Sequence, residues 1–193
     1  MHPAFQYDQY LLKKQAIALT GKLRFYNPQG EVVLFSEQKM FKLREDIRVF
    51  SDEQKTQEVL AIKARQIIDF SAAYDVVDST NGEKVGALRR KGLKSILRDE
   101  WEVLDPSDNV VGLCFEDNMG LALLRRFLLG NLLPQNYDIT AGDGRVADLK
   151  QRFNLIRYEM DVDFTMDTNR KLDRRMGIAA AALLAIVEGK QDS

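Results

Sequence analysis

The chain has 193 residues, 45% hydrophobic and 30% charged, with a net charge of -1. That composition is globular rather than disordered, gives enough chain for one sizeable core, and lacks the basic excess by which a nucleic-acid binder attracts phosphate. Its one cysteine, Cys114, permits no intramolecular disulfide and no CxxC motif, so a secreted disulfide scaffold is excluded and a reducing cytoplasm is the expected compartment.

From the N-terminus, MHPAFQYDQYLLKKQ lacks the basic and apolar regions of a signal peptide. His2, the only histidine, is expected to have no role at a frayed end. Phe25 to Phe35, FYNPQGEVVLF, opens a unit that recurs down the chain: an aromatic, apolar residues, a turn, then apolar residues around a small one. The set Lys39, Lys42, Arg44 and Arg48 follows and reads as an outer face. The unit returns as YDVVDSTNGEKVGAL from Tyr74, WEVLDPSDNVVGL from Trp101 and, more loosely, YDITAGDGRVADL from Tyr137. Asn81-Gly82, Ser107-Asp108-Asn109 and Gly142-Asp143-Gly144 supply the positive φ angles or backbone-bonding side chains that hairpin turns demand. Between the last two units, Asp117 or Asn118 is placed to cap a helix running to about Leu129. Arg157 to Phe164 then alternates with period two, Tyr158, Met160, Val162 and Phe164 on one face and Arg157, Glu159, Asp161 and Asp163 on the other.

The chain closes on DRRMGIAAAALLAIVE, Asp173 to Glu188, with Asp173 as N-cap and Gly189 as C′ residue. Its middle is apolar all round, so it is buried on every side or sits in a membrane. The uncharged apolar run from Met176 to Val187 falls short of the roughly 20 residues that a bilayer requires, which decides for burial. Repeated hairpins suggest a meander closed into a barrel or folded into a sandwich, and the alanines make the helix thin enough to thread it. With no linker or low-complexity tract, residues 1–193 read as one domain.

A hairpin meander followed by such a helix resembles the Tubby C-terminal-like superfamily and, within it, the LURP-one-related family, cousins of the phospholipid scramblases. The residues that carry the resemblance are Tyr10-Leu-Leu-Lys-Lys, FYNPQGEV, YDVVDSTNGEKVGALRRK, WEVLDPSDNVVG and DRRMGIAAAALLAIVEG, spread over nearly the whole chain. It implies a mainly β fold: a closed antiparallel barrel of about twelve strands around the buried C-terminal helix.

Without an internal histidine, Ser-His-Asp and Cys-His catalysis and His-ligated zinc lose their central member, and no P-loop, G-x-G-x-x-G or G-x-S-x-G occurs. Cys114 lies in a strand pattern and reads as a core thiol. The chain is therefore expected not to be an enzyme and to need no cofactor. Calcium is the one candidate ion: the scramblase likeness places Asp161 and Asp163 where an acidic pair precedes the helix. An EF-hand frame fails there, with Met166 at the glycine position and Leu172 at the bidentate one, so a solvated strand face is the plainer reading.

The most basic stretch, Arg89, Arg90, Lys91 and Lys94 with Arg98 behind it, is the expected headgroup site, because the Tubby-like resemblance implies phosphoinositide binding through basic loops. Asp99 and Glu100 follow at once, which also suits a charged, edge-protecting face. The apolar stretch Leu121 to Leu129, interrupted by Arg125 and Arg126, reads as a helix packed on the barrel or lying on anionic lipid. The sequence thus points to a non-enzymatic module for phospholipid or phosphoinositide headgroups at the cytosolic membrane surface. The alternatives are an adaptor that binds a protein partner through barrel loops, a scramblase-related lipid handler and, last, an enzyme using only carboxylates such as Asp161 and Asp163. No nucleic-acid partner is expected.

Overall fold

Twelve segments become antiparallel strands, and apolar side chains alternate inward along them except where an extra residue interrupts the pairing. The computed structural model describes residues 1–17, 20–39, 46–65, 72–91, 100–117, 134–153 and 158–187, with side chains at all but 16, 17, 20, 38, 39 and 187. A 3-10 turn, η1 (Pro3–Phe5), leads into β1 (Gln9–Ile17), β2 (Thr20–Tyr26) and β3 (Val32–Lys39). Then come β4 (Ile47–Phe50), β5 (Glu58–Ala64), β6 (Ala73–Asp78), β7 (Glu83–Arg90), β8 (Glu100–Leu104) and β9 (Val110–Glu116). The chain ends with β10 (Asn136–Ala141), β11 (Gly144–Arg152), β12 (Tyr158–Asp163) and helix α1 (Arg174–Val187). Each strand pairs with its neighbour in sequence, and β1 also pairs with β12, Gln9 opposite Asp163, which closes the barrel. A barrel, not a sandwich, is the outcome.

The echo in the sequence has a geometric cause. In five hairpins the register slips by one residue at the second or third position of the second strand, and the unpaired residue is a valine each time: Val33, Val59, Val85, Val111 and Val146. A bulge bends and twists its strand, and a bulge in alternate strands supplies the curvature that closure needs. At Gly112, the residue after the bulge, a Cβ would stand 1.9 Å from the carbonyl oxygen of Thr140, so that position has to be glycine. The turns of these hairpins lie at one end of the barrel, as do η1 and the β12–α1 connection. That end is pinned rather than frayed: His2 Nδ1 accepts the Ala4 amide at 3.2 Å and Phe5 is fully buried, so His2 does have a local structural role.

Helix α1 enters from this end and fills the barrel. Ile178 to Ala185 are all buried, and four alanines let the helix fit among large inward side chains such as Phe25, Leu34, Leu60 and Tyr137. Asp173 caps it as expected, Oδ1 accepting the Arg175 amide at 2.9 Å. Two arginines in the first turn oppose the helix dipole, and carboxylates answer them. Arg174 donates to Asp167 and Asp8, each at 2.9 Å, and lies 4.7 Å above the Phe164 ring. Arg175 reaches the fully buried Asp78 at 2.6 Å as well as Asp173. At the far end the Lys14 ammonium donates to the Ala185 carbonyl at 2.9 Å, capping the last turn.

Cys114 is a buried core thiol, as its strand pattern indicated. Among the described residues no helix is long and apolar enough to cross a membrane. The expected helix from Asn118 to Leu129 lies outside the described residues, as do Lys42, Arg44, Arg157, Gly189 and the side chain of Lys39. Arg48 faces outward and donates to Glu58 at 2.9 Å.

Candidate functional site

Because the helix occupies the lumen, the crevice lined by Leu88, Trp101, Cys114, Ala180, Leu183 and Leu184 has no room for even a water molecule. Any sizeable ligand is left with the outer surface. There a half-open groove of about 660 Å³ runs along the seam where β1 meets β12.

Alternation builds this groove. Tyr10 and Leu12 of β1, Met160 and Val162 of β12, and Leu149 of β11 point inward and are buried, which turns their neighbours outward. Register then lays the outward residues in rows across the seam: Gln9, Asp163 and Asp148; Leu11, Asp161 and Lys150; Lys13, Glu159 and Arg152. Tyr26 and the β2–β3 turn form the other wall. Asn27 stiffens that turn, its Oδ1 accepting the amides of Gln29 and Glu31 at 3.1 and 2.9 Å.

The charges of the groove interlock. Arg152 grips Asp161 with two hydrogen bonds of 2.8 and 2.7 Å, which raises the guanidinium pKa. Lys150 lies 2.5 Å from Asp148, a hydrogen bond that raises the ammonium pKa. Lys13 is 3.7 Å from Glu159 and sits over the Tyr26 ring at 5.2 Å. At Asp163 burial pushes the carboxyl up, but hydrogen bonds from the Thr165 amide and hydroxyl and from Gln9 outweigh it and hold the group below its ordinary value. One row on, Asp138 stands opposite Asp148, both touched by Arg145. Burial raises the Asp138 carboxyl, and the nearby Asp148 adds to the rise against the pull of Arg145.

Residues 32–185 match the LURP-one-related family, from the start of β3 into α1. The chain belongs to that family. The twelve-stranded barrel and its central helix fit the family's link to the Tubby-like superfamily. No curated protein and no solved structure matches the chain. Membership covers β11 and β12, one wall and part of the floor of the groove, while β1 and β2 precede the matched residues.

The structure does not gather the expected site residues of this family member in one place. Asp161 and Asp163 share the groove. Arg89 and Arg90 end β7 and Lys91 follows, halfway round the barrel from β1. There Arg89 pairs with Glu102 at 2.5 Å and Lys91 with Glu100 at 2.5 Å, so carboxylates of β8 meet the charges that looked like a cluster of cations. Lys94 and Arg98 lie outside the described residues. Calcium takes six or more oxygen ligands, and among the described residues no three acidic, histidine or cysteine side chains are grouped to hold a metal.

Sequence reasoning missed Lys13, Asp148, Lys150 and Arg152. The alternation of Asp148, Lys150 and Arg152 was legible as one face of a strand. Which strand that face would adjoin was not.

Proposed function

We propose that this protein is a non-enzymatic binding module for a phospholipid headgroup, acting at the cytosolic surface of a membrane. The observation that carries the reading is the filled lumen beside a charged external groove: the helix takes the interior, and the groove presents donors and acceptors to a small polar ligand. Its carboxylates are committed to Arg152, Lys150, Gln9 and Thr165, which suits recognition better than proton transfer to a substrate. A scramblase-like passage of lipid draws no support from α1, whose 14 residues rise only about 21 Å.

A second reading, an adaptor for a protein partner, is favoured by Val110 and Val111, adjacent and 51% and 44% exposed beside the β8–β9 turn. Co-sedimentation with neutral, anionic and phosphoinositide-containing vesicles, at low and physiological salt and with and without calcium, separates the two. Saturable binding to at least one lipid class is expected. Failure to bind any vesicle would reject the lipid module and leave the adaptor.

A further inference from the structure

The seam groove has a charge pattern that selects among ligands. Its lining carries three cations, Lys13, Lys150 and Arg152, and three carboxylates, Asp148, Asp161 and Asp163. Glu159, beside Lys13 and Arg152, tips the balance one charge negative, so a multiply charged phosphate meets no complementary field, whereas a ligand that bears both signs finds a partner for each. Lys150 and Arg152 project from β11 together with Asp148, which pairs with Lys150, and Asp161 and Asp163 project beside them from β12. Adjacent strands are on the order of 5 Å apart, a separation that a two-carbon linker between opposite charges can bridge.

We propose that this groove binds a phosphodiester of a primary amino alcohol, the chemistry of an ethanolamine headgroup. Its phosphate sits on Lys150 and Arg152, and its ammonium sits between Asp161 and Asp163. The inference rests on the lipid-module reading and specifies its ligand. Donor capacity supports it: an ammonium carries three N–H donors, among the described residues Lys150 pairs with Asp148, and the Lys150 side chain is 58% exposed. Arg152 commits Nε and Nη2 to Asp161, leaving Nη1 4.0 Å from Glu159. Asp163 is aimed by Thr165 and Gln9, and it keeps acceptor capacity beyond those bonds. A quaternary ammonium is the poorer fit. It has no N–H to give these carboxylates and relies on an open aromatic face, and the Lys13 ammonium already covers the Tyr26 ring.

The test compares phosphatidylcholine vesicles with and without phosphatidylethanolamine, and titrates glycerophosphoethanolamine into the labelled protein while amide NMR shifts are followed. Wild type should bind the ethanolamine vesicles about tenfold more tightly than the choline ones. Lys150→Glu and Asp163→Asn should each lose about that factor, the loss expected for one charge-assisted hydrogen bond. Arg89→Ala, on the opposite wall, should change nothing. Lys150 is exposed, so an unchanged melting temperature in Lys150→Glu separates lost binding from lost fold. Shifts in β11 and β12 with the soluble phosphodiester would support a site for the free molecule as well. Shifts only with vesicles would support the lipid as the source. Equal binding to both vesicles, or wild-type binding by both groove variants, would overturn the proposal. If anionic vesicles still bound in that case, the module reading would survive it. No binding to any vesicle or to the phosphodiester would end both.

Discussion

At Gly177 the first turns of α1 pass against Phe164, and an added Cβ would stand 2.3 and 2.4 Å from two atoms of its ring. That ring cannot easily yield, since Arg174 lies over it and Tyr10 packs edge-on at 6.2 Å. Helix propensity favours alanine over glycine by about 1 kcal/mol, and overpacking costs about 1–3 kcal/mol. The two effects compete, and the clash should win. Gly177→Ala is expected to destabilise the fold by a net of up to about 2 kcal/mol, seen as a lower urea midpoint at unchanged slope. A raised midpoint would mean that the ring has room to move.

At the scale of elements, the barrel and the helix depend on each other. Inward residues from every part of the sheet are buried together with α1 in one hydrophobic core. Ala181 is completely buried at the centre of the helix. A carboxylate there is without partner, and the cost of burying one is several kcal/mol. Ala181→Asp should therefore yield no cooperative thermal transition, and truncation after Leu172 should yield an insoluble chain. A soluble truncated barrel with a sharp melt would show that the sheet stands without its plug. The recurrent bulge is the other element-level device. The recurring motif was visible as apolar residues around a small one, but its meaning, an extra residue that bends alternate strands, lies in pairing that no single segment displays.

For the whole molecule, the linkage between pH and stability follows from the carboxylates that hold the helix entrance. Burial pushes Asp78 up, but hydrogen bonds from Thr80 and Arg175 outweigh it and leave the carboxyl below its ordinary value. Burial acts the same way on Asp167, against the amides of Leu172 and Lys171 and the Arg174 guanidinium, with the same net lowering. A folded-state pKa below the unfolded value of about 3.9 gives stability that is present above that value and lost as pH falls through the folded one. Asp138, raised by burial, works the other way and gains as pH falls. With Asp78, Asp167 and the groove's Asp163 lowered against Asp138 raised, the melting temperature should hold steady from neutral pH to about pH 5 and drop below about pH 4. Asp78→Asn and Asp167→Asn should begin less stable and show a shallower acid limb. Equal acid limbs would remove these residues from the account.

The sequence by itself determined that the C-terminal helix is apolar and buried and that hairpins of a common pattern precede it. Each of these is a local matter, set by the period of apolar residues and by turn chemistry. Asp173 as a cap and the inward face of β12 were legible for the same reason. Only the tertiary structure decided that the strands close into a barrel, that carboxylates of β8 meet Arg89 and Lys91, and that Lys13, Lys150 and Arg152 share a groove with Asp161 and Asp163. These depend on register between strands, and in the seam on the meeting of β1 with β12, whose paired residues Gln9 and Asp163 lie 154 positions apart. Periodicity says which way a side chain faces. Closure of the barrel says what it faces.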